Sequence, residues 1–437
     1  MSTAPVRRTV LVAYSLLAFP LAMAALPVYV HVPKLYAGEL GLSLATVGVI
    51  LLVARCLDAF QDPFLGWWSD RVAASGGDRS IFVACAAALL ALGFLGLLRP
   101  PAVSGSTLAA WLAGALLLCY LGFSMATISY FAIGAELSDD YNGRTRITAA
   151  RAVAGIAGVM TASALPEMLA GTEGLARGLA TLGLLYVPVL LVGVAALLFG
   201  VSPPRRKGIV GAITIGGLAA PLADRRFRWL LAVFVASGVA SAIPATLVLF
   251  FIQDVLGRND LSGWFLGIYF LFGAIGMPLW VVAARRVGKR GAWVSGMVMS
   301  IIAFVWAFFL GQGDIVGFGM VCALSGIAYG AELALPPSIL ADLAGERDSG
   351  GEARGGAYFG FWQLSEKLNL ALAAGIALPL LGLVGYVPGT SQAAMGDLSS
   401  MYALAPCALK GIALMLLWIA PVEVRVGQAP AVSGGCT

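Results

Sequence analysis

Val53 to Arg71 reads V-A-R-C-L-D-A-F-Q-D-P-F-L-G-W-W-S-D-R, at the end of an apolar run that begins near Leu44. The run is long enough to cross a bilayer, yet it holds Arg55, Asp58 and Asp62 inside it. A charge at membrane depth costs roughly 2.5–3.5 kcal/mol on insertion scales. On a helix, positions 55, 58 and 62 share one face, because they are spaced by three and four residues. One arginine neutralises one carboxylate, which leaves the other for a bound cation or a shared proton. Carboxylate oxygens suit a hard cation such as Na⁺, and crowded carboxylates retain a proton. Asp62 is the stronger candidate, since Pro63 removes a backbone donor and restrains the geometry beside it. The plainer reading is a charge pair that only joins helices. Intramembrane ionisable groups mark functional sites by default, so the first reading is preferred.

The rest of the chain agrees with a membrane setting. Of 437 residues, 60% are hydrophobic and only 11% charged, and the mean hydropathy is +0.92. This composition excludes a soluble domain of this size. The net charge of +5 comes from basic residues scattered over short loops, which does not point to nucleic acid. Five of the six cysteines (56, 85, 119, 322 and 407) fall in apolar runs, and Cys436 in the tail. No pair has metal-ligand or disulfide-framework spacing, so they read as reduced, small apolar side chains. The first apolar run is too long for a cleavable signal and is expected to remain as the first span.

At about 20 apolar residues per span, twelve runs emerge, near 9–31, 43–69, 81–99, 107–137, 148–171, 177–200, 227–254, 261–284, 291–312, 314–343, 355–385 and 399–420. Lys410 interrupts the last of them. With the N-terminus inside, 20 Lys and Arg fall on inner segments and 4 on outer ones, the remainder being Arg55, Lys367 and Lys410 within spans. That bias predicts both termini in the cytoplasm, as in a multi-pass protein of a bacterial inner membrane. The longest polar interruption, 202–226, predicts a cytoplasmic linker between an N-terminal bundle (1–201) and a C-terminal bundle (227–437). The halves echo each other weakly: Gly134-Ala135-Glu136 in the fourth run, Gly330-Ala331-Glu332 in the tenth. The expected fold is all-α, with two pseudo-symmetric six-helix bundles and a midplane site between them, the logic of a secondary transporter. Pro20, Pro27 and Pro336-Pro337 are candidate kinks.

The stretch from Pro27 to Asp70, with its R-x-x-D-A-x-x-D-P-x-x-G core, resembles the glycoside–pentoside–hexuronide:cation symporters, a family of the major facilitator superfamily typified by melibiose permease. Tyr130 to Arg151 and Lys367 with Gly382 to Pro388 resemble the family's later segments. The resemblance implies that Asp58 and Asp62 form the Na⁺ or H⁺ site, with Arg55 one turn before. It also places Lys367 near the central cavity. Two carboxylates that hold the sugar in melibiose permease align near Ala22 and Ala126, which points away from a galactoside. A eukaryotic branch of the family carries lysophospholipids.

Lys367 lies about 13 residues beyond Arg354, near the midplane at about 1.5 Å per residue. Its neighbour Glu366 points about 100° away on a helix. Its expected partner is therefore Asp58, Asp62 or the solute. Tyr130, Tyr358, Trp362 and Gln363 are candidates for solute contact, since aromatic faces stack on sugar rings, though they also fill helix interfaces. His31, the lone histidine, reads as a capping or hydrogen-bonding residue. Asp70, Arg71, Glu136, Arg144 and Arg151 are candidates for a cytoplasmic gate whose pairs break on opening.

These readings predict cation-coupled symport of a small organic solute, a carbohydrate or glycoside, by alternating access. The alternative within transport is a carrier of a lysophospholipid or other amphiphile. The alternative of another class is a non-transporting membrane sensor on the same fold. An enzyme is not expected, for the chain holds no H-E-x-x-H, G-x-S-x-G or P-loop. No cofactor is expected beyond the co-transported Na⁺ or H⁺, no nucleotide or nucleic-acid partner, and a monomer.

Overall fold

The structure, a computed structural model, describes residues 7–74, 78–137, 141–171, 174–201, 220–348, 355–389 and 395–421. Most of those residues are helical, with no strand among them. Eleven helices are long and apolar enough to cross a membrane. They are α1 (Arg8–Glu39), α2 (Leu44–Ala74), α3 (Arg79–Leu98), α4 (Gly105–Glu136), α5 (Tyr141–Ala170), α6 (Leu175–Gly200), α7 (Arg225–Val255), a double-length helix, α10 (Ile315–Asp348), α11 (Gly355–Leu383) and α12 (Gly396–Ile419). The double-length helix, Ser262–Phe308, departs from helical geometry at Gly288 (φ 77°, ψ 158°). Only glycine adopts that conformation readily. Arg285, Arg286, Lys289 and Arg290 flank the break, so the helix divides there into α8 (262–287) and α9 (289–308). Twelve crossings result.

Short-range chemistry sets the helix ends. Asp78 accepts a hydrogen bond from the Ser80 amide (2.8 Å) and starts α3. Asp224 accepts one from the Arg226 amide (2.9 Å) and starts α7 at Arg225. Each is an N-cap, and the second moves the end of the expected 202–226 linker inward; 202–219 lie outside the described residues. α1 runs on to Glu39, beyond the expected 31, through two wide π-type stretches, Pro27–His31 and Lys34–Glu39. α7 and α12 carry the same feature at Phe251–Val255 and Ser400–Leu404. α1 also pauses at Leu17, where Pro20 lacks the amide proton that would reach Leu16. Pro336 and Pro337 lie within an unbroken α10.

Small residues bring helix backbones together. A Cβ on Gly122 of α4 would sit 2.3 Å from the Leu90 amide of α3, and one on Gly330 of α10 would sit 2.7 Å from Gly276 of α8. Contacts between the halves include the following. The Glu167 carboxylate of α5 accepts from the Gly263 amide of α8 (2.5 Å), and Lys34 of α1 donates to Asn259. Gly48 of α2 lies against the Ala374 carbonyl of α11.

Lys410, which interrupts the last apolar run, is 2% exposed. Its Nζ donates to Glu332 Oε1 of α10 (2.8 Å) and to Ser237 Oγ of α7 (2.7 Å). Ser237 (2.6 Å) and Trp293 Nε1 of α9 (3.1 Å) donate to that same Glu332 oxygen. One ion pair thus ties four helices of the C-terminal half. Removing one partner of a buried pair leaves an uncompensated charge, at a cost of roughly 3–5 kcal/mol. Lys410→Met alone should therefore lower the midpoint of thermal unfolding in detergent sharply, and Lys410→Met with Glu332→Met should recover most of the loss.

Candidate functional site

The one-face spacing of 55, 58 and 62 holds in α2, and the face meets α4 and α11. Asp58 is 1% exposed. Its Oδ2 accepts from Arg55 Nη1 at 3.1 Å and lies 2.9 Å from Lys367 Nζ. Its Oδ1 accepts from Ser124 Oγ at 2.7 Å and from Gln61 Nε2 at 3.1 Å. Lys367 Nζ also lies 2.6 Å from Asp62 Oδ2 and donates to Ser124 Oγ at 2.8 Å. The ammonium therefore bridges both carboxylates across the boundary between the halves. The Arg55 guanidinium lies over the Tyr120 ring, 4.2 Å from its centroid, a favourable seat for a cation in a desolvated site. Two positive and two negative charges make the cluster neutral. One acceptor stays unmatched: Asp62 Oδ1 is buried and has no hydrogen-bond partner.

Beside the cluster, on the C-terminal side of α11, lies a cavity of about 280 Å³. Tyr29 of α1 closes one wall, and α7, α8, α10 and α11 supply the rest. Its polar groups include Glu332, Glu366, Asn369 and the hydroxyls of Tyr29, Tyr269 and Tyr329. Lys367 and Glu366 are consecutive and leave α11 in different directions, one toward α2, the other into this cavity.

Three of the expected solute-contact residues belong to packing instead. Tyr130 is fully buried and stacks on Tyr14 (centroids 4.3 Å apart, planes 19° apart). Its hydroxyl donates to the Tyr14 carbonyl at 2.9 Å, and the Tyr14 hydroxyl donates to the Tyr130 carbonyl at 3.1 Å. Trp362 is 2% exposed and stacks on Phe234 at 3.6 Å, although its Nε1 donates to Glu366 at 3.1 Å. Tyr358 sits in the inner core against Phe227, its hydroxyl 3.4 Å from Asp224. The fourth, Gln363, is exposed. Of the expected gate residues, the side chains of Asp70, Glu136 and Arg144 lie outside the described residues, and Arg71 is exposed. The Arg151 guanidinium lies 4.2 Å from the centroid of Phe131, on the neighbouring helix of the same half. His31 is 1% exposed with neither ring nitrogen hydrogen-bonded, so it is not the capping residue expected.

Sequence reasoning missed Ser124 and Gln61. Ser124 is one hydroxyl in a long apolar run, with no spacing to tie it to Asp58, so its role depends on how α4 packs. Gln61 was visible, one turn after Asp58. Glu332 and Lys410 were each noticed, one as a repeat and one as an interruption, but nothing in the chain order pairs them.

The MFS/sugar transport protein model matches residues 11–423. The glucuronide carrier protein homolog of Escherichia coli (strain K12) is 24% identical, covering 92% of this chain and 89% of its own length. The isoprimeverose transporter of Lactiplantibacillus pentosus is 22% identical, with coverages of 94% and 89%. Among solved structures, a bacterial homolog of the human lysosomal transporter Spinster, inward-facing and unoccupied, superposes with a TM-score of 0.71 at 16% identity, over 96% of each chain.

If Tyr130 is a packing residue, Tyr130→Phe removes one buried hydrogen bond, worth about 1 kcal/mol. The unfolding midpoint should fall by a few degrees while solute half-saturation stays unchanged. A tenfold rise in half-saturation would return this ring to solute contact.

Proposed function

The chain belongs to the MFS/sugar transport protein family, and on that premise we propose that it is a Na⁺- or H⁺-coupled symporter of a small carbohydrate-like solute, working by alternating access. It is a multi-pass membrane transporter and not an enzyme. The observation that carries the coupling is the Lys367 bridge, 2.9 Å from Asp58 and 2.6 Å from Asp62. With Arg55, the cluster is neutral without a guest. A cation entering beside Asp62, whose Oδ1 is already unmatched, makes the cluster net positive unless the ammonium leaves. Cation and Lys367 therefore compete for the same oxygens. Entry of one releases the other, and with it the tie between α2 and α11.

Lys367 and Glu366 sit on one helix, so a change at the cation site shifts the wall of the cavity. Each ligand then favours the state in which the other binds well, which is the requirement for coupling. The N-terminal bundle, to residue 201, and the C-terminal bundle, from α7 onward, are the two bodies that rock about this midplane site, joined by the segment between them on the cytoplasmic side. Both termini face the cytoplasm, on the distribution of Lys and Arg, in a bacterial inner membrane, with the monomer as the working unit. The cavity of about 280 Å³ is lined by Glu366, Asn369 and three tyrosines, a polar and aromatic lining that supports a sugar-like solute over the amphiphile alternative.

The test is uptake into proteoliposomes from a panel of sugars, with an imposed Na⁺ or pH gradient. Wild-type chain should accumulate a solute under one gradient and not without it, and Asp62→Asn should abolish that dependence. Gradient-dependent accumulation that survives in Asp62→Asn would remove the coupling site.

Alternating access makes a second demand, at the outer closure. A Cβ on Gly263 would meet Glu167 Oε2 and the Ser163 carbonyl, each at 3.0 Å, and Ala164 Cα at 3.1 Å. Gly263→Val should wedge α5 from α8 and favour the outward-open state. A cysteine introduced by Ser241→Cys in the cavity wall should then react severalfold faster with a membrane-impermeant thiol reagent added outside, relative to the same substitution with Gly263 intact.

A further inference from the structure

Among the described residues, Glu366 has no counter-charge. Across the cavity, Glu332 is neutralised by Lys410 at 2.8 Å. Glu366 accepts one hydrogen bond, from Trp362 Nε1 at 3.1 Å, and no Lys, Arg or His lines the cavity among the described residues. The four-charge cluster on the other side of α11 is neutral and offers no spare cation. Asn369, three residues on and hence on the same helix face, is 4% exposed and lines the same cavity. Its Oδ1 has no hydrogen-bond partner, while its amide nitrogen packs on Gly238, where a Cβ would come within 1.9 Å. The cavity thus combines an uncompensated carboxylate, an unmatched amide oxygen and the rings of Tyr29, Tyr269 and Tyr329.

We propose that Glu366 is the specificity-determining residue of this cavity, and that it selects a polyhydroxylated solute without negative charge, a neutral or amino sugar, over a sugar acid or sulfonate. The inference rests on the symporter reading above and adds the charge of the solute to it. A carboxylate accepts from hydroxyl and ammonium donors and has none of its own to give. Aromatic rings offer apolar faces to a pyranose and negative faces to an ammonium. A solute carboxylate or sulfonate would place like charges together, with no guanidinium or ammonium among the lining residues to receive it. The related carrier named for glucuronides is named for an anion, so the lining of this chain predicts a departure from that relative.

The experiment uses the purified full-length protein in proteoliposomes under the gradient that drives uptake. Glucose, glucosamine and glucuronate are compared as substrates and as mutual competitors. Glucose and glucosamine are expected to be taken up, with glucuronate at least tenfold weaker. Glu366→Gln, which keeps an oxygen for Trp362 Nε1, should lose at least tenfold for glucosamine and narrow the glucuronate gap. Glu366→Asp keeps the charge on a shorter side chain and should preserve the exclusion of glucuronate even where half-saturation for glucosamine rises. Uptake led by glucuronate, or a ratio of acid to neutral sugar unmoved by Glu366→Gln, overturns this inference alone. Uptake of none of the three under either gradient overturns the symporter reading with it.

Discussion

One ammonium between two carboxylates, inside an otherwise apolar helix bundle, is the constraint on which this structure turns. Asp58 is almost wholly buried, and both carboxylates need a positive charge close by. Lys367 supplies it from the other half of the molecule, at 2.9 and 2.6 Å. The contact lies largely out of water on the Asp58 side, and the proposed coupling treats it as exchangeable, since carboxylate oxygens also suit a small hard cation. Arg55 behaves differently. It lies on the same helix as Asp58 and over Tyr120, so it travels with α2 and stays with Asp58 whichever way the halves move. In the proposed mechanism, Lys367 links charge balance to the relative position of the two bodies.

The consequence for α11 follows from helix geometry. Successive residues diverge by about 100°, so a helix at the boundary presents consecutive side chains to different compartments. Lys367 faces the α2 carboxylates and Glu366 the cavity. A shift of α11 driven by events at one necessarily moves the other. Trp362, one turn before Glu366, is held by Phe234 and donates to the Glu366 carboxylate. The cavity carboxylate is thereby positioned by the core of the C-terminal half while its unmet charge remains directed to whatever enters.

Much of this was legible in the order of residues, and the reasons differ by level. Twelve apolar runs gave the crossings because hydrophobic thickness fixes span length. The α2 triad was legible because three charges at helical spacing in an apolar run are conspicuous. Its completion by Ser124 was not, because a serine in a membrane helix is unremarkable until a neighbour is known. The aromatic candidates failed for a related reason. Tyr130, Tyr358 and Trp362 have the chemistry of sugar-contacting rings, but the same chemistry fills interfaces, and burial decides between the two. Helix boundaries moved where a cap outweighed hydropathy, as Asp224 does at the start of α7.

The second buried ion pair sharpens the role of the first. Lys410 and Glu332 are as well matched as Lys367 and Asp58, yet both belong to the C-terminal half, where Ser237 and Trp293 complete their hydrogen bonds. A buried pair with every partner on one rigid body has little reason to break, and gives fixed helix register rather than motion. The Lys367 pair spans two bodies, and one acceptor of its cluster, Asp62 Oδ1, is left unmatched. Incomplete satisfaction in a low-dielectric site is costly, so that cluster has a free-energy reason to accept a guest. Two ion pairs of similar chemistry thus differ in what surrounds each: one joins helices of a single bundle, and the other joins the two bundles, which is why the proposed coupling is placed at the second.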